Sequence, residues 1–252
     1  MSKRLEGKVA IVTGAAGYLG TSHCVHLARA GAKVVVTDIV DGQVTVDAVK
    51  KAGGEAIFVR IDVSSQEDTL HMAAETLKAY GRIDILVNNA ALLAGSQKPW
   101  TEFTPEEWDQ NLAVDLKGMF LCARAVFPTM QQQQSGRIIN ISSGTIMLGF
   151  PNLLPYVSAK AAAVGFTRTL ATEVGPHNIT VNAILVGLFP HEIAGFENMD
   201  AISAQCIALQ SLKRTGTPDD LSPSVVFLAS DEGGWITGQA IAVDGGLVRS
   251  GG

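Results

Sequence analysis

The chain has 252 residues, 47% of them hydrophobic, and 19 basic against 24 acidic side chains give a net charge of −5. That length buries a substantial core without staples, and a mean hydropathy of +0.24 suits buried parallel strands. An acidic chain without a basic run argues against a nucleic-acid surface, and no apolar run reaches the ~18 residues of a membrane span. The N-terminal Met1-Ser2-Lys3-Arg4-Leu5-Glu6-Gly7 lacks the apolar core of a secretory leader. Cys24, Cys122 and Cys206 show no ligand spacing and read as small buried hydrophobes in a reducing compartment. His23 and His26 have no acidic or sulfur ligands beside them, so no metal is expected there. A soluble, cytoplasmic protein is the expectation, with neither nucleic acid nor membrane as partner.

In chain order, Lys8–Thr13 (KVAIVT) is a short apolar run ending at glycines, the pattern of a buried strand. Leu19–Ala30 has helical spacing and stops at Gly31. Lys33–Asp38 is a second strand, followed by a helix around Val44–Ala52. Ala56–Asp62 is a third strand, and Ser65–Tyr80 a helix with Ser64 or Ser65 as its N-cap. Ile83–Asn88 is a fourth strand, after which a single long helical region is predicted over Pro105–Gln132. Arg137–Ser142, Thr180–Leu185 and Gln239–Val243 complete the strands; Pro155–Gly175 and Pro218–Ala229 complete the helices. An irregular insertion, Val186 to about Leu212, is large enough to cover a substrate and is the expected lid.

Strands alternating with helices predict an α/β fold: a doubly wound, seven-stranded parallel sheet of Rossmann type, forming a single domain over residues 1–252. Such a sheet binds ligands at the carboxyl ends of its strands, near the switch in strand order. Thr13-Gly14-Ala15-Ala16-Gly17-Tyr18-Leu19-Gly20 sits where the first strand turns into the first helix. Glycines there let backbone N–H groups approach a pyrophosphate, and the helix N-terminus adds partial positive charge. Asp38 ends the second strand, where a carboxylate can accept from ribose hydroxyls and repels a 2′-phosphate. With Ile39, Val40 and Asp41 following and no base adjacent, NAD is expected rather than NADP. The structural alternative for Asp38 is a strand-ending turn cap.

The chemistry falls on Tyr156-Val157-Ser158-Ala159-Lys160, with Ser143 upstream. Residues four apart on a helix share a face, so Tyr156 and Lys160 can point into one pocket. An ammonium beside a phenol favours the phenolate and is expected to lower its pKa from about 10, giving a usable acid–base. Ser143 could hold a substrate oxygen meanwhile. The competing reading is an amphiphilic tyrosine and a solvated lysine on a surface helix.

Taken together these stretches resemble the single-domain branch of the short-chain dehydrogenase/reductase family along essentially the whole chain. The resemblance rests on the Gly14–Gly20 turn, Asp62-Val63, Asn88-Asn89-Ala90-Ala91, Ser143, Tyr156, Lys160 and Val181-Asn182-Ala183-Ile184. Arg214-Thr-Gly-Thr-Pro-Asp-Asp and Ile236-Thr-Gly-Gln, then Val243-Asp-Gly-Gly, complete it. It implies that Ser143 binds the substrate oxygen, Tyr156 moves the proton, and Lys160 holds the nicotinamide ribose. It further implies cofactor contacts at Gly14, Gly17, Tyr18, Leu19, Gly20, Asp38, Asp62 and Val63. Asn89, Ala90, Phe189, His191, Tyr156 and Lys160 complete that implied set, and Asn88 would line the cleft or tie strands together.

Four positions depart from the family pattern. Tyr18 stands where the turn's middle glycine belongs, and Gly17 precedes it. Asp115 aligns with the family's relay asparagine but, ionised, only accepts hydrogen bonds; Asn111 one turn earlier is no clean substitute. Val186-Gly187 replaces Pro-Gly, and His191 replaces a threonine that contacts the carboxamide. His191 could make that contact, reach the substrate or face solvent.

Leu92–Lys98, Gly144–Leu154 and Val186–Leu212 should shape the substrate pocket. They contribute Leu92, Leu93, Met147, Leu148, Phe150, Leu153, Leu154, Leu188, Phe189, Phe196 and Met199. Lys98, Glu192, Glu197 and Asp200 are the few charges, and no arginine is present. A small apolar alcohol or ketone, aromatic or alicyclic, is the expected substrate of an NAD-dependent alcohol dehydrogenase. The alternatives are an NADPH-dependent reductase of 3-oxoacyl-carrier-protein type and a non-catalytic dinucleotide-binding sensor. A homotetramer is implied by the resemblance.

Overall fold

The computed structural model describes residues 3–93, 97–190 and 198–249. Seven strands form one sheet: β1 (Val9–Thr13), β2 (Lys33–Asp38), β3 (Glu55–Arg60), β4 (Ile85–Asn88), β5 (Gly136–Ser143), β6 (Ile179–Val186) and β7 (Ala240–Val243). Every pairing is parallel, in the order β3-β2-β1-β4-β5-β6-β7. The chain builds outward from β1 to β3, then returns to the other side of β1 as β4. That reversal leaves a crevice beyond the carboxyl ends of β1 and β4.

The strands form because both sheet faces are covered, so each residue of β1 is buried. Alternation sends Ala10, Val12, Val34 and Val36 to one core, with Val46, Leu221 and Val225 from the helices. It sends Val9, Ile11 and Val35 to the other, with Met72, Val126 and Ala171. The first face carries α1 (Tyr18–Arg29), α2 (Gln43–Lys51) and the helix Pro218–Ala229; the second carries α3 (Gln66–Tyr80) and the helices Gly118–Gln133 and Leu154–Val174. Ser65 caps α3 by accepting from Asp68 N–H at 3.2 Å, and Gly81 ends it in the left-handed region at φ 73°.

Two expectations need correction. The helical region after β4 is interrupted: α4 (Pro105–Leu112) passes through a π turn, Ala113–Lys117, before α5 (Gly118–Gln133). A Thr104–Glu107 capping box and Pro105 start α4. The insertion after β6 is not wholly irregular, since it contains the helix Met199–Leu209. Between β5 and β6 lie the short α6 (Thr145–Leu148) and the long α7 (Leu154–Val174); Met199–Leu209 is α8 and Pro218–Ala229 is α9.

Candidate active site

One cleft of about 610 Å³ opens at the carboxyl ends of the strands. It brings together Gly14, Gly17, Leu19, Gly20, Asp38, Asp62, Val63, Asn89, Ala90, Ser143, Tyr156, Lys160 and Phe189. His191, Glu192, Phe196 and Glu197 lie outside the described residues, as do positions 94–96.

The glycine turn is built by close backbone approach. Gly14 has φ +60°, and a Cβ there would sit 2.7 Å from Ala90 Cα. A Cβ on Gly20 would come 2.3 Å from Gly14 O, whereas one on Gly17 would meet only that oxygen, at 3.4 Å. Gly17 caps α1 with no side-chain hydrogen bond, and no acidic residue occupies the first turn. Ala16, Gly17, Leu19 and Gly20 line the cleft at this helix N-terminus, whose dipole favours an anion there, a good fit to a pyrophosphate. Tyr18 does not join this lining. Half exposed, it borders instead an outer recess with Ala16, Gly17, Thr21, Val25 and Arg29.

Asp38 serves two ends at once. Its Oδ2 accepts from Ala16 N–H at 2.9 Å and its Oδ1 from Val40 N–H at 3.2 Å, which clamps β2 to the glycine turn. A carboxylate offers about four acceptor sites, so capacity remains for ribose hydroxyls in the cleft. Asp62 is held by Ser64 N–H and Oγ–H at 2.8 and 2.7 Å, beside Val63, which packs on Gly118. Asn89 Nδ2 donates to the carbonyls of Thr13 and Gly14 at 2.9 and 3.0 Å, fixing β4 to the turn. Asn88 is buried away from the cleft, its Nδ2 bonded to Asn140 Oδ1 at 2.8 Å, and so ties strands together. Arg60, which sequence reasoning passed over, is paired in register with Asp38 and donates to Ile39 O at 3.0 Å.

At the other end of the cleft, α7 carries Tyr156 and Lys160 on one face, and neither is a surface residue. Lys160 Nζ lies 5.5 Å from the Tyr156 ring centroid and donates to Ile141 O at 3.0 Å. Behind it, Asp115 Oδ2 stands 3.7 Å away with no hydrogen bond of its own, while Oδ1 accepts from Leu92 N–H at 2.7 Å. The π turn presents this carboxylate to α7, a use typical of π turns at functional sites. Burial pushes the Asp115 pKa up, against the pull of Lys160 and of Leu92 N–H.

The expected depression of the Tyr156 pKa is not what the protein alone provides. Burial raises it, the Asp115 charge raises it further, and only the Ser143 hydroxyl draws it back. Burial is the main reason, and the Asp115 charge, 3.7 Å from the Lys160 ammonium, adds to it. Nothing local in the sequence around Tyr156 announces that partner.

Beside Ser143 and Tyr156 opens an apolar pocket with Leu93, Leu148, Phe150, Leu153, Leu188 and Met199. Ile202 and Cys206 of α8 and Thr145, inside the expected segments but not singled out, also line it, as does Leu247, which lies outside them. The spacing of Ile202 and Cys206, one helical turn apart, was the available signal. Met147 and Leu154 are instead about half exposed, and Leu92 lines the main cleft.

With this geometry in place, comparison with known proteins is decisive. The sequence profile of a family described as enoyl-(acyl carrier protein) reductase matches residues 14–248. The hydroxy(phenyl)methylsuccinyl-CoA dehydrogenase subunit BbsD of Thauera aromatica is 38% identical over 245 residues, covering 96% of this chain and 97% of its own. The chain belongs to the short-chain dehydrogenase/reductase family. Its relatives within that family differ in the activity they are named for. A 3-oxoacyl-(acyl-carrier-protein) reductase of Synechocystis sp. is 37% identical, covering 97% of this chain and 98% of its own. The crystal structure of levodione reductase superposes with a TM-score of 0.90 at 30% identity, covering 96% of this short-chain dehydrogenase/reductase and 98% of that chain. Membership establishes an oxidoreductase that binds a nicotinamide dinucleotide. No helix among the described residues is long and apolar enough to cross a membrane.

Proposed function

We propose that this chain is an NAD-dependent oxidoreductase that interconverts a small apolar secondary alcohol and its ketone, with Tyr156 as the acid–base. The observation that carries this reading is the junction of Ser143 and Tyr156 with a pocket that no charged side chain among the described residues lines. An aromatic or alicyclic ring suits that pocket, and its oxygen would then face Ser143 and Tyr156. The name of levodione reductase is in keeping with it, and that of BbsD shares a phenyl carbinol but carries it on a succinyl-CoA.

The glycine turn, Asp38, Asp62, Asn89 and Lys160 would hold the dinucleotide, which when bound supplies or accepts the hydride and, oxidised, brings a positive charge. Ser143 donates to the substrate oxygen and polarises it. Tyr156 gives its proton to that oxygen in reduction and takes it back in oxidation. Lys160 steadies the phenolate, and Asp115 balances the lysine. Because the protein itself raises the Tyr156 pKa, the phenol waits protonated at neutral pH, poised for ketone reduction. Asp38 disfavours a 2′-phosphate and thereby favours NAD. We place this chemistry in the cytoplasm and in a homotetramer, whose size light scattering tests.

A second reading, an NADPH-dependent 3-oxoacyl-carrier-protein reductase, is favoured by the Arg60 guanidinium near Ile39 and by the Synechocystis relative. Against it, Lys98 is neutralised by Glu107 at 2.7 Å, and no basic side chain among the described residues lines the apolar pocket to meet a carrier phosphate. Initial rates with cyclohexanol and with sec-phenethyl alcohol, using NAD and NADP in parallel, separate the two. NAD turnover supports the first reading; turnover confined to NADPH with an acyl thioester supports the second.

A further inference from the structure

Ser143 Oγ receives two hydrogen bonds from one residue: Thr145 N–H donates at 3.2 Å and Thr145 Oγ–H at 2.9 Å. A hydroxyl has two acceptor lone pairs and one O–H. Thr145 therefore occupies both acceptor sites, and what Ser143 has left to offer the cleft is its proton. Thr145 is well fixed for this task. It opens α6, and the preceding Gly144 N–H is tied to Val186 O at 2.8 Å, at the end of β6. Its side chain borders the apolar pocket beside Ser143 and Tyr156.

From this arrangement we infer that Thr145 is a positioning residue that locks the Ser143 hydroxyl as a hydrogen-bond donor toward the reacting oxygen. The inference rests on the alcohol/ketone reading above. Without the lock, a freely rotating serine can accept from the Tyr156 O–H, which diverts that proton from the substrate and leaves the carbonyl unpolarised. With it, Ser143 can only donate, to the substrate oxygen or to the Tyr156 phenolate, and both donations favour the reaction. The charged groups acting on Tyr156 are Asp115 and Lys160, and Thr145 changes neither.

The test compares wild type, Thr145→Val and Thr145→Ser in the full-length protein, with cyclohexanol and sec-phenethyl alcohol as probes. Valine keeps the shape and the backbone N–H but removes the Oγ–H donor; serine keeps the donor. Thr145→Val should lower kcat about tenfold, the value of one hydrogen bond to a reacting group, with little change in KM or in NAD affinity by fluorescence titration. Its acid limb for alcohol oxidation should move to higher pH, because the phenolate loses an assured donor. Thr145→Ser should restore both. An active wild type with an equally active Thr145→Val overturns the role of Thr145 alone. Equal impairment of both variants with unmoved pH limbs also overturns it, since shape rather than the donor would then matter. A wild type that binds NAD but oxidises neither probe nor reduces their ketones overturns the parent reading and this inference together.

Discussion

Lys160 Nζ lies 3.7 Å from Asp115 Oδ2, and both side chains are sealed from solvent. A buried lysine beside a catalytic phenol would, alone, favour the phenolate. Here burial of the phenol, and after it the Asp115 charge, act the other way and raise its pKa.

Replacing Asp115 by Asn removes the negative charge and nearly preserves the shape. The Tyr156 pKa should then fall, and the rising acid limb of alcohol oxidation should shift to lower pH by about one unit or more. A pH–rate profile of Asp115→Asn against wild type checks this. An unmoved limb means that Asp115 does not act on the phenol.

The glycine turn offers a geometric prediction. A methyl on Gly20 would sit 2.3 Å from Gly14 O and 2.7 Å from Ala15 Cα, backbone atoms that cannot swing aside. Gly20→Ala should cost roughly 1–3 kcal/mol of stability and weaken dinucleotide binding, because the displaced turn is the phosphate cradle. Gly17→Ala, whose methyl has room within the protein, should keep the stability and lose only binding. Denaturation curves and cofactor titration of both variants decide the matter.

His23 governs a separate pH response. It is fully buried between α1 and α9, its Nδ1 is bonded to Ser222 Oγ at 2.8 Å, and its Nε2 has no partner. Burial, then the neighbouring His26, lowers its pKa from 6.5 to about 3. The unfolded chain therefore takes up this proton below pH 6.5 while the folded one resists until about pH 3. Stability should fall with pH across that window, by up to about 1.4 kcal/mol per pH unit from this group. His23→Gln cannot titrate, so its melting temperature should decline less steeply between neutral pH and pH 4.5 than that of wild type.

The sheet was legible because a parallel strand buried on both faces must be apolar throughout, as Val9–Thr13 is. The Tyr156–Lys160 pair was legible because helical spacing alone puts both on one face. The π turn was not, since Ala113–Lys117 has the composition of ordinary helix and its widened hydrogen bonding leaves no residue signature. With it went the Asp115–Lys160 contact, and the true sign of the Tyr156 shift was missed because it follows first from burial, which helical spacing does not specify. The helix α8 was hidden because its sequence carries few charges and so shows little amphipathic spacing. His191 lies outside the described residues.

The central claim is that Tyr156 moves the proton in NAD-linked alcohol/ketone exchange. Its most direct test is the initial rate of NAD reduction with cyclohexanol and sec-phenethyl alcohol by wild type and Tyr156→Phe, alongside NAD titration of both. The account predicts clear NAD-linked turnover by wild type, weaker or absent with NADP. It predicts a loss of at least about a hundredfold in Tyr156→Phe, with NAD affinity nearly unchanged. Wild-type turnover that survives in Tyr156→Phe would contradict it.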